Sequence, residues 1–228
     1  MKRSASLSRL AAVLASVLLL ATSGWFVSCG QKKPEQKPMT PTFTAPNSVP
    51  TFDGTRAFAL LERQVAFGPR VPNSPAHSEC LEFYLRFFDS LGVAVETQRF
   101  AIPGYDGVPL RLTNVIARIH PDRTDRILLC AHWDSRPMAD RETDEIRAAR
   151  PIPGANDGAS GVAVLLHLAE ILARHDAARP GASIGVDFIL FDGEDYGREA
   201  DESMFLLGSK YFAASLDPAH RYRFGVLL

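Results

Sequence analysis

After residue 52, the spacing of apolar residues switches repeatedly between a helical period and a strand period. Helical spacing bounded by capping or breaking residues predicts four helices, in the segments DGTRAFALLERQVAF, SPAHSECLEFYLRFFDSLG, GASGVAVLLHLAEILARH and SMFLLGSKYFAASL. In the first of these, the helical stripe consists of Phe58, Leu61 and Val65. Alternating or continuous apolar runs predict five strands, in VAVETQRF, TNVIARI, RILLCA, SIGVDFILF and RFGVLL. Strands that alternate with helices in this way are typical of an α/β domain with a largely parallel central sheet.

The first residues of the chain follow a different pattern. Lys2 and Arg3 precede an apolar run, which the polar and small residues 22–24 interrupt before it reaches the ~18 residues of a membrane-spanning helix. This is typical of an export signal. The sequence FVSC, followed by a glycine, resembles a bacterial lipobox, and we therefore predict lipidation at Cys29. A plain secretory signal with an incidental cysteine is the alternative.

These features divide the chain into three predicted parts. Residues 1–28 are a lipoprotein signal peptide, residues 29–51 are an extended tether rich in Lys, Pro, Thr and Gln, and residues 52–228 are the folded domain. We expect the protein to be exported and to be anchored through Cys29 to a bacterial membrane, facing the periplasm or the cell surface. Of the remaining cysteines, Cys130 lies in a predicted buried strand, so we expect no disulfide with Cys80.

Composition argues against nucleic acid as a partner. The 228 residues carry a formal net charge of -1, and acidic and basic residues are interspersed along the chain. No basic patch of the kind that binds phosphate backbones is visible in the sequence.

Candidate chemistry lies where the predicted strands end. His132 and Asp134 follow RILLCA, Asp157 precedes the long third helix, and Glu194 and Asp195 follow SIGVDFILF. Because the carboxyl ends of parallel strands meet at one edge of a sheet, where ligands bind, we expect all five side chains there.

Each of these motifs alone has a structural alternative. A His and an Asp can cap a strand end, an Asp among glycines can cap a helix, and an acidic pair can form a solvated loop. Together they indicate a divalent cation, because clustered carboxylates repel one another without one. One imidazole plus carboxylates suits zinc better than manganese or cobalt.

Five segments carry a resemblance to a known family. AFGPRVPNSPAHSEC, AHWDSRP, GANDGASGVAVLLHLAEIL, VDFILFDGEDYG and LLGSKYF resemble, in this order, the zinc-dependent aminopeptidases with the co-catalytic exopeptidase fold, and in particular their glutaminyl cyclase branch. The resemblance runs from Phe52 to the last residue. It implies a three-layer α/β sandwich with a mostly parallel central sheet.

The resemblance also implies roles for single residues and a cofactor. Carried over position by position, His132, Asp157 and Asp195 are ligands of one or two Zn²⁺ ions, Asp134 orients a ligand, and Glu194 is the catalytic acid and base. The family usually has Glu at the position of Asp195. It also has a further Asp just after a strand like RFGVLL and a His near its C-terminus. Neither is found in these residues, so we expect the domain to be C-terminally incomplete.

Three functions remain open at this point. The first is a glutaminyl-peptide cyclotransferase that converts N-terminal Gln of peptides or proteins to pyroglutamate, and the second is a zinc aminopeptidase. The third is an inactive, truncated lipoprotein that binds peptides. The loop over residues 135–153 is expected to shape substrate access, and Trp133 either lines the pocket or packs in the core. The other histidines are expected to be surface or core residues: His77, His120, His167, His175 and His220.

Overall fold

The computed structural model describes residues 49–178, 184–198, 201–217 and 221–228. The predicted signal peptide, the proposed lipidation site Cys29, the tether up to residue 48, and His220 lie outside these described residues. Within the described part of the chain, no helix is both long and apolar enough to cross a membrane.

Every predicted helix and strand is present. The helices are α1 (Gly54–Val65), α2 (Pro75–Ser90), the one-turn α3 (Glu145–Ala148), α4 (Ser160–Ala178) and α5 (Leu207–Ala214). The strands are β1 (Ala94–Pro103), β2 (Pro109–Ile119), β3 (Asp125–His132), β4 (Gly185–Phe191) and β5 (Arg221–Leu227). The last predicted helix is shorter than expected, because Glu202–Met204 forms a separate 3₁₀ turn before it.

The five strands form one sheet in the order β1-β2-β4-β3-β5. Strands β4, β3 and β5 are parallel, and β2 pairs antiparallel with both β1 and β4. Four strands therefore run in one direction and β2 runs in the other. The central position of β3 and β4 places their carboxyl ends side by side, with His132 paired in register to Phe191.

Helices cover both faces of the sheet and confirm the three-layer sandwich. On one face, α1, α2 and α4 pack over the larger core cluster, which includes Leu60, Tyr84, Leu165 and Phe188. On the other face, α5 places Phe212 against a smaller cluster around Ile189. The two described cysteines, Cys80 and Cys130, belong to different clusters, and both are buried and free. The sheet separates them, which confirms the expectation that they form no disulfide.

The burial of helix α1 and strand β5 does not follow from their apolar content alone. In α1 the buried residues are Ala57, Leu60 and Gln64, whereas Phe58 is 59% exposed. Leu61 is partly buried against the larger core cluster, and the side-chain oxygen of Gln64 accepts the Tyr84 hydroxyl at 2.8 Å. Strand β5 has the apolar content of a central strand, yet it lies at the edge of the described sheet and is largely exposed.

Candidate active site

His132 and Asp157 meet at the carboxyl edge of the sheet. His132 is the last residue of β3, and Asp157 lies in the irregular turn Ala155–Ala159 that leads into α4. The imidazole Nε2 of His132 lies 2.9 Å from Asp157 Oδ1. This approach requires Gly158, which has a φ of 90°, because a Cβ there would lie 2.9 Å from the carbonyl oxygen of Asp134.

Asp134 holds the acidic turn that follows β4. Its side chain is fully buried, and its two oxygens accept the backbone N–H groups of Glu194 at 2.9 Å and Asp195 at 3.0 Å. Asp134 Oδ1 also lies 3.4 Å from His132 Nδ1. One carboxylate thus holds the backbone of both neighbouring acids and lies beside the imidazole, whereas its role in orienting a metal ligand stays a prediction.

Glu194 lies beside the imidazole of His132. Its Oε2 lies 3.9 Å from His132 Nδ1, and its side chain is 30% exposed. Burial raises its pKa above the ordinary value, and the carboxylates of Asp134, Asp195 and Asp157 add to the rise, which the charge of His132 opposes. A raised pKa makes a carboxyl group a stronger base, which is a property that general acid-base catalysis uses.

Asp195 is paired with a basic residue that the sequence did not single out. Arg136 donates through Nε at 2.8 Å and through a terminal nitrogen at 2.6 Å to Asp195 Oδ1. Burial raises the pKa of Asp195, and Arg136 counters this rise. Part of the positive charge that the acidic cluster was expected to require is therefore supplied by the protein.

Asp192 does not belong to this group, although it stands in the same acidic segment. It is fully buried and lies 2.8 Å from His77 Nε2, and it accepts the Thr113 backbone N–H at 2.6 Å. His77 in turn stacks on Trp133, with ring centroids 4.2 Å apart. His77 was expected to be a surface or core residue. It is buried, and its imidazole is paired with the carboxylate of Asp192.

Trp133 packs in the core. The side chain is fully buried, its indole N–H donates to the Thr113 carbonyl oxygen at 3.2 Å, and its ring meets Tyr84 edge-on. Of the two alternatives for this residue, the structure favours packing over a pocket-lining role.

Arg70 is a further residue that sequence reasoning missed. Its guanidinium is fully buried and donates to three backbone carbonyls, those of Trp133 (2.9 Å), Pro153 (2.9 Å) and Gly154 (2.7 Å). These carbonyls flank His132 on one side and Asp157 on the other. The FGPR motif in the sequence was the available signal, but its partners are distant in the chain.

The side chains at this edge of the sheet are of types that bind zinc. One imidazole and several carboxylate oxygens are ligands that zinc accepts, and the buried Nδ1 of His132 has no hydrogen-bond partner. Among the described residues, however, no three His, Cys, Asp or Glu side chains are already arranged to hold a metal ion. His132 and Asp157 bond each other directly, and Asp195 bonds Arg136. Binding of an ion between His132 and Asp157 therefore requires their direct contact to open.

Solved structures resemble this chain over most of its length. The glutaminyl cyclase of Tannerella forsythia is 41% identical, with a TM-score of 0.71 over 78% of this chain and 62% of that one. A leucine aminopeptidase precursor from Bacteroides thetaiotaomicron is 37% identical, with a TM-score of 0.72 over 79% of this chain and 63% of that one.

A curated protein is also similar to this chain in sequence. The glutaminyl-peptide cyclotransferase of Drosophila melanogaster is 26% identical over 149 residues, which are 64% of this chain and 38% of that protein. The chain spans less than two thirds of the length of each of these three relatives.

A family profile covers the five site residues that the sequence predicted. The profile of peptidase family M28 matches residues 114–228, just over half of the 228 residues, and this segment contains His132, Asp134, Asp157, Glu194 and Asp195. The chain therefore belongs to peptidase family M28.

Proposed function

We propose that the protein is a zinc-dependent enzyme that acts on the N-termini of peptides or proteins, and that it is a glutaminyl-peptide cyclotransferase. The observation that carries the proposal is the placement of Glu194. Asp134 fixes its backbone, and its carboxylate lies 3.9 Å from His132 at the carboxyl edge of the sheet. The 41% identity to the Tannerella forsythia glutaminyl cyclase supports the cyclase in particular.

The reaction requires one proton to move between two nitrogens. The α-amine of an N-terminal Gln attacks the carbon of its own side-chain amide, a C–N bond forms, and ammonia leaves. We assign Glu194 to take the proton from the attacking amine and to return it to the departing nitrogen. His132, Asp157 and Asp195 would hold zinc, which polarises a carbonyl group when bound. Asp134 keeps Glu194 in place through its backbone.

A zinc aminopeptidase is the second candidate. The similarity to the leucine aminopeptidase precursor of Bacteroides thetaiotaomicron, at 37% identity, favours it. In this reaction Glu194 would take a proton from water and give it to the amine of the departing peptide. The same side chains serve both reactions, so a substrate comparison is needed to separate them.

The experiment follows the two products. Purified zinc-loaded protein is incubated with a Gln-initiated peptide, with ammonia release measured, and with a Leu anilide, with amine release measured. Ammonia release with conversion of the peptide to pyroglutamate supports the cyclotransferase. Release of amine from the anilide alone supports the aminopeptidase. The absence of both activities from a protein that binds zinc would contradict both candidates.

We also propose that the protein is exported and held at a membrane by a lipid on Cys29. The charged start, the apolar run and the FVSC sequence support this proposal. The wild-type protein, expressed in a bacterium, should be found in the membrane fraction and should incorporate a labelled fatty acid. Cys29→Ser should lose the label, whereas retention of the label would contradict the proposal.

A further inference from the structure

Arg136 joins the loop after β3 to the acidic turn after β4. Asp134 holds the backbone of that turn, and Arg136, two residues later, holds the side chain of Asp195 with two N–H groups at 2.8 and 2.6 Å. Backbone and side chain of Asp195 are therefore fixed by one short segment. Both contacts from Arg136 fall on Oδ1.

The guanidinium is itself held on three sides. A terminal nitrogen donates to Asp140 Oδ1 at 3.0 Å, and the guanidinium carbon lies 5.3 Å from the ring centroid of Phe205. The Arg136 carbonyl oxygen accepts the Ile152 N–H at 3.0 Å, which ties its backbone to the far end of the loop. Only 17% of the side chain is exposed. This is not the geometry of a loose surface ion pair, which contributes little.

Asp195 needs such a partner because its side chain is only 7% exposed. An ionised carboxylate removed from water to this extent is costly unless it is paired. A ligand of a metal ion must also be ionised and correctly turned, and hydrogen bonds to its other oxygen commonly do this. With Arg136 on Oδ1, the second oxygen of Asp195 is left to face another group.

We propose that Arg136 is a positioning residue of the metal site, which fixes Asp195 through Oδ1 and presents its second oxygen to a divalent cation. This inference rests on the proposed function, because that proposal supplies the zinc ion. Arg136 itself touches neither substrate nor metal in this arrangement, and it acts through Asp195. The opposite role is that of a competitor, in which the guanidinium occupies Asp195 and must leave before a cation binds.

Zinc affinity separates these roles without using enzyme activity. The metal-free protein is titrated with zinc in competition with a chromophoric chelator. The variants are Arg136→Gln, Arg136→Lys and the control Arg141→Gln, which removes the same charge from an exposed position of the same loop. We expect zinc affinity to fall about 10- to 100-fold in Arg136→Gln, the usual range for loss of a group that orients a ligand. Arg136→Lys should retain part of the affinity, because it keeps the charge but not the two-point contact.

Thermal unfolding of the metal-free variants shows whether they fold. We expect Arg136→Gln to unfold at a lower temperature than Arg141→Gln, because Asp195 loses its buried partner. Arg136→Gln with the zinc affinity of Arg141→Gln, or with a higher affinity than the wild type, would overturn the positioning role. Failure of the wild-type protein to bind zinc would instead overturn the proposed function, and the role of Arg136 with it. Arg136→Lys provides the same comparison if Arg136→Gln does not fold.

Discussion

Glu194 and Asp195 are neighbours in sequence but are held in different ways. Arg136 pairs with Asp195, whereas Oε2 of Glu194 lies 3.9 Å from the imidazole Nδ1 of His132. The sequence predicted that both acids lie at the edge of the sheet, because each follows a buried strand. It did not predict Arg136, because the pairing depends on the approach of segments 59 residues apart. The partners of Arg70 and His77 could not be predicted for the same reason, because they also lie far away in sequence.

The role of Glu194 is tested by Glu194→Gln, which keeps the size of the side chain and removes the carboxylate. We expect turnover of a Gln-initiated peptide to fall ~10²- to 10⁴-fold, the usual contribution of an acid-base group. Zinc affinity and thermal stability should stay near those of the wild type. Turnover within a few-fold of the wild type would show that another group moves the proton.

His132 should make the stability of the zinc-free protein dependent on pH. Burial lowers its pKa, but the carboxylates of Asp134 and Asp157 outweigh this effect and raise the pKa to about 10, compared with 6.5 for a free imidazole. The folded protein therefore binds this proton more tightly than the unfolded chain does. The stabilisation is complete below pH ~6.5 and is lost as the pH rises towards 10.

Urea unfolding of zinc-free protein at several pH values between 6 and 10 measures this effect. His132→Gln removes the titrating group, so its free energy of unfolding should fall less steeply with pH than that of the wild type. Identical slopes for the two proteins would show that His132 is not protonated in the folded state.

At the scale of elements, capping signals were more reliable than apolar stripes. Helix α2 begins after Ser74, whose hydroxyl accepts the His77 N–H at 3.1 Å, and ends before Gly92, which has a φ of 68°, as predicted. In α1 the apolar stripe is only partly buried, because Phe58 is exposed whereas Leu61 packs against the larger core cluster. Gln64 is buried there because Tyr84 and the carbonyls of Leu60 and Ala159 bond its amide, and these partners are not visible from helical spacing.

The orientation of α1 can be tested with two truncations. Leu60 is 3% exposed in the larger core cluster, so Leu60→Ala should lower the free energy of unfolding by about 2–5 kcal/mol. Phe58 is 59% exposed, so Phe58→Ala should change it by no more than about 0.5 kcal/mol. Denaturant unfolding measures both, and a larger cost for Phe58→Ala would show that the helix packs on its apolar stripe.

At the scale of the whole molecule, alternation of helices and strands predicted the α/β class and the family resemblance implied the three layers, but neither gave the strand order. The edge position of β5 and the reversed direction of β2 depend on pairings between segments far apart in sequence. Neighbouring strands are also joined by an ion pair inside the sheet. Arg126 on β3 donates through Nε to Asp187 on β4 at 2.9 Å, and both side chains are fully buried. Tyr222 on β5 donates to the same carboxylate at 2.6 Å.

Asp187→Asn should therefore destabilise the entire domain. It leaves the guanidinium of Arg126 buried without a counter-charge, and breaking a buried pair in this way costs about 3–5 kcal/mol. The matched control is Asp125→Asn, which removes a carboxylate from the exposed pair with Arg223. The urea midpoint should fall clearly for Asp187→Asn and stay nearly unchanged for Asp125→Asn. Arg126 also donates to the carbonyl oxygens of His120 and Arg123, and equal midpoints would show that these two bonds are sufficient to stabilise the guanidinium.

The three bonds from Arg70 have a consequence for how this site can diversify. They hold the backbone at residues 133, 153 and 154, so both ends of the intervening loop are fixed in position. Doubling the length of a flexible loop costs only about 0.6 kcal/mol. We therefore expect insertions or exchanges in the exposed part of this loop, residues 141–147, to change substrate access while His132, Asp134, Arg136 and Asp157 keep their positions. New substrate preferences can arise in this span without rebuilding the chemistry beneath it.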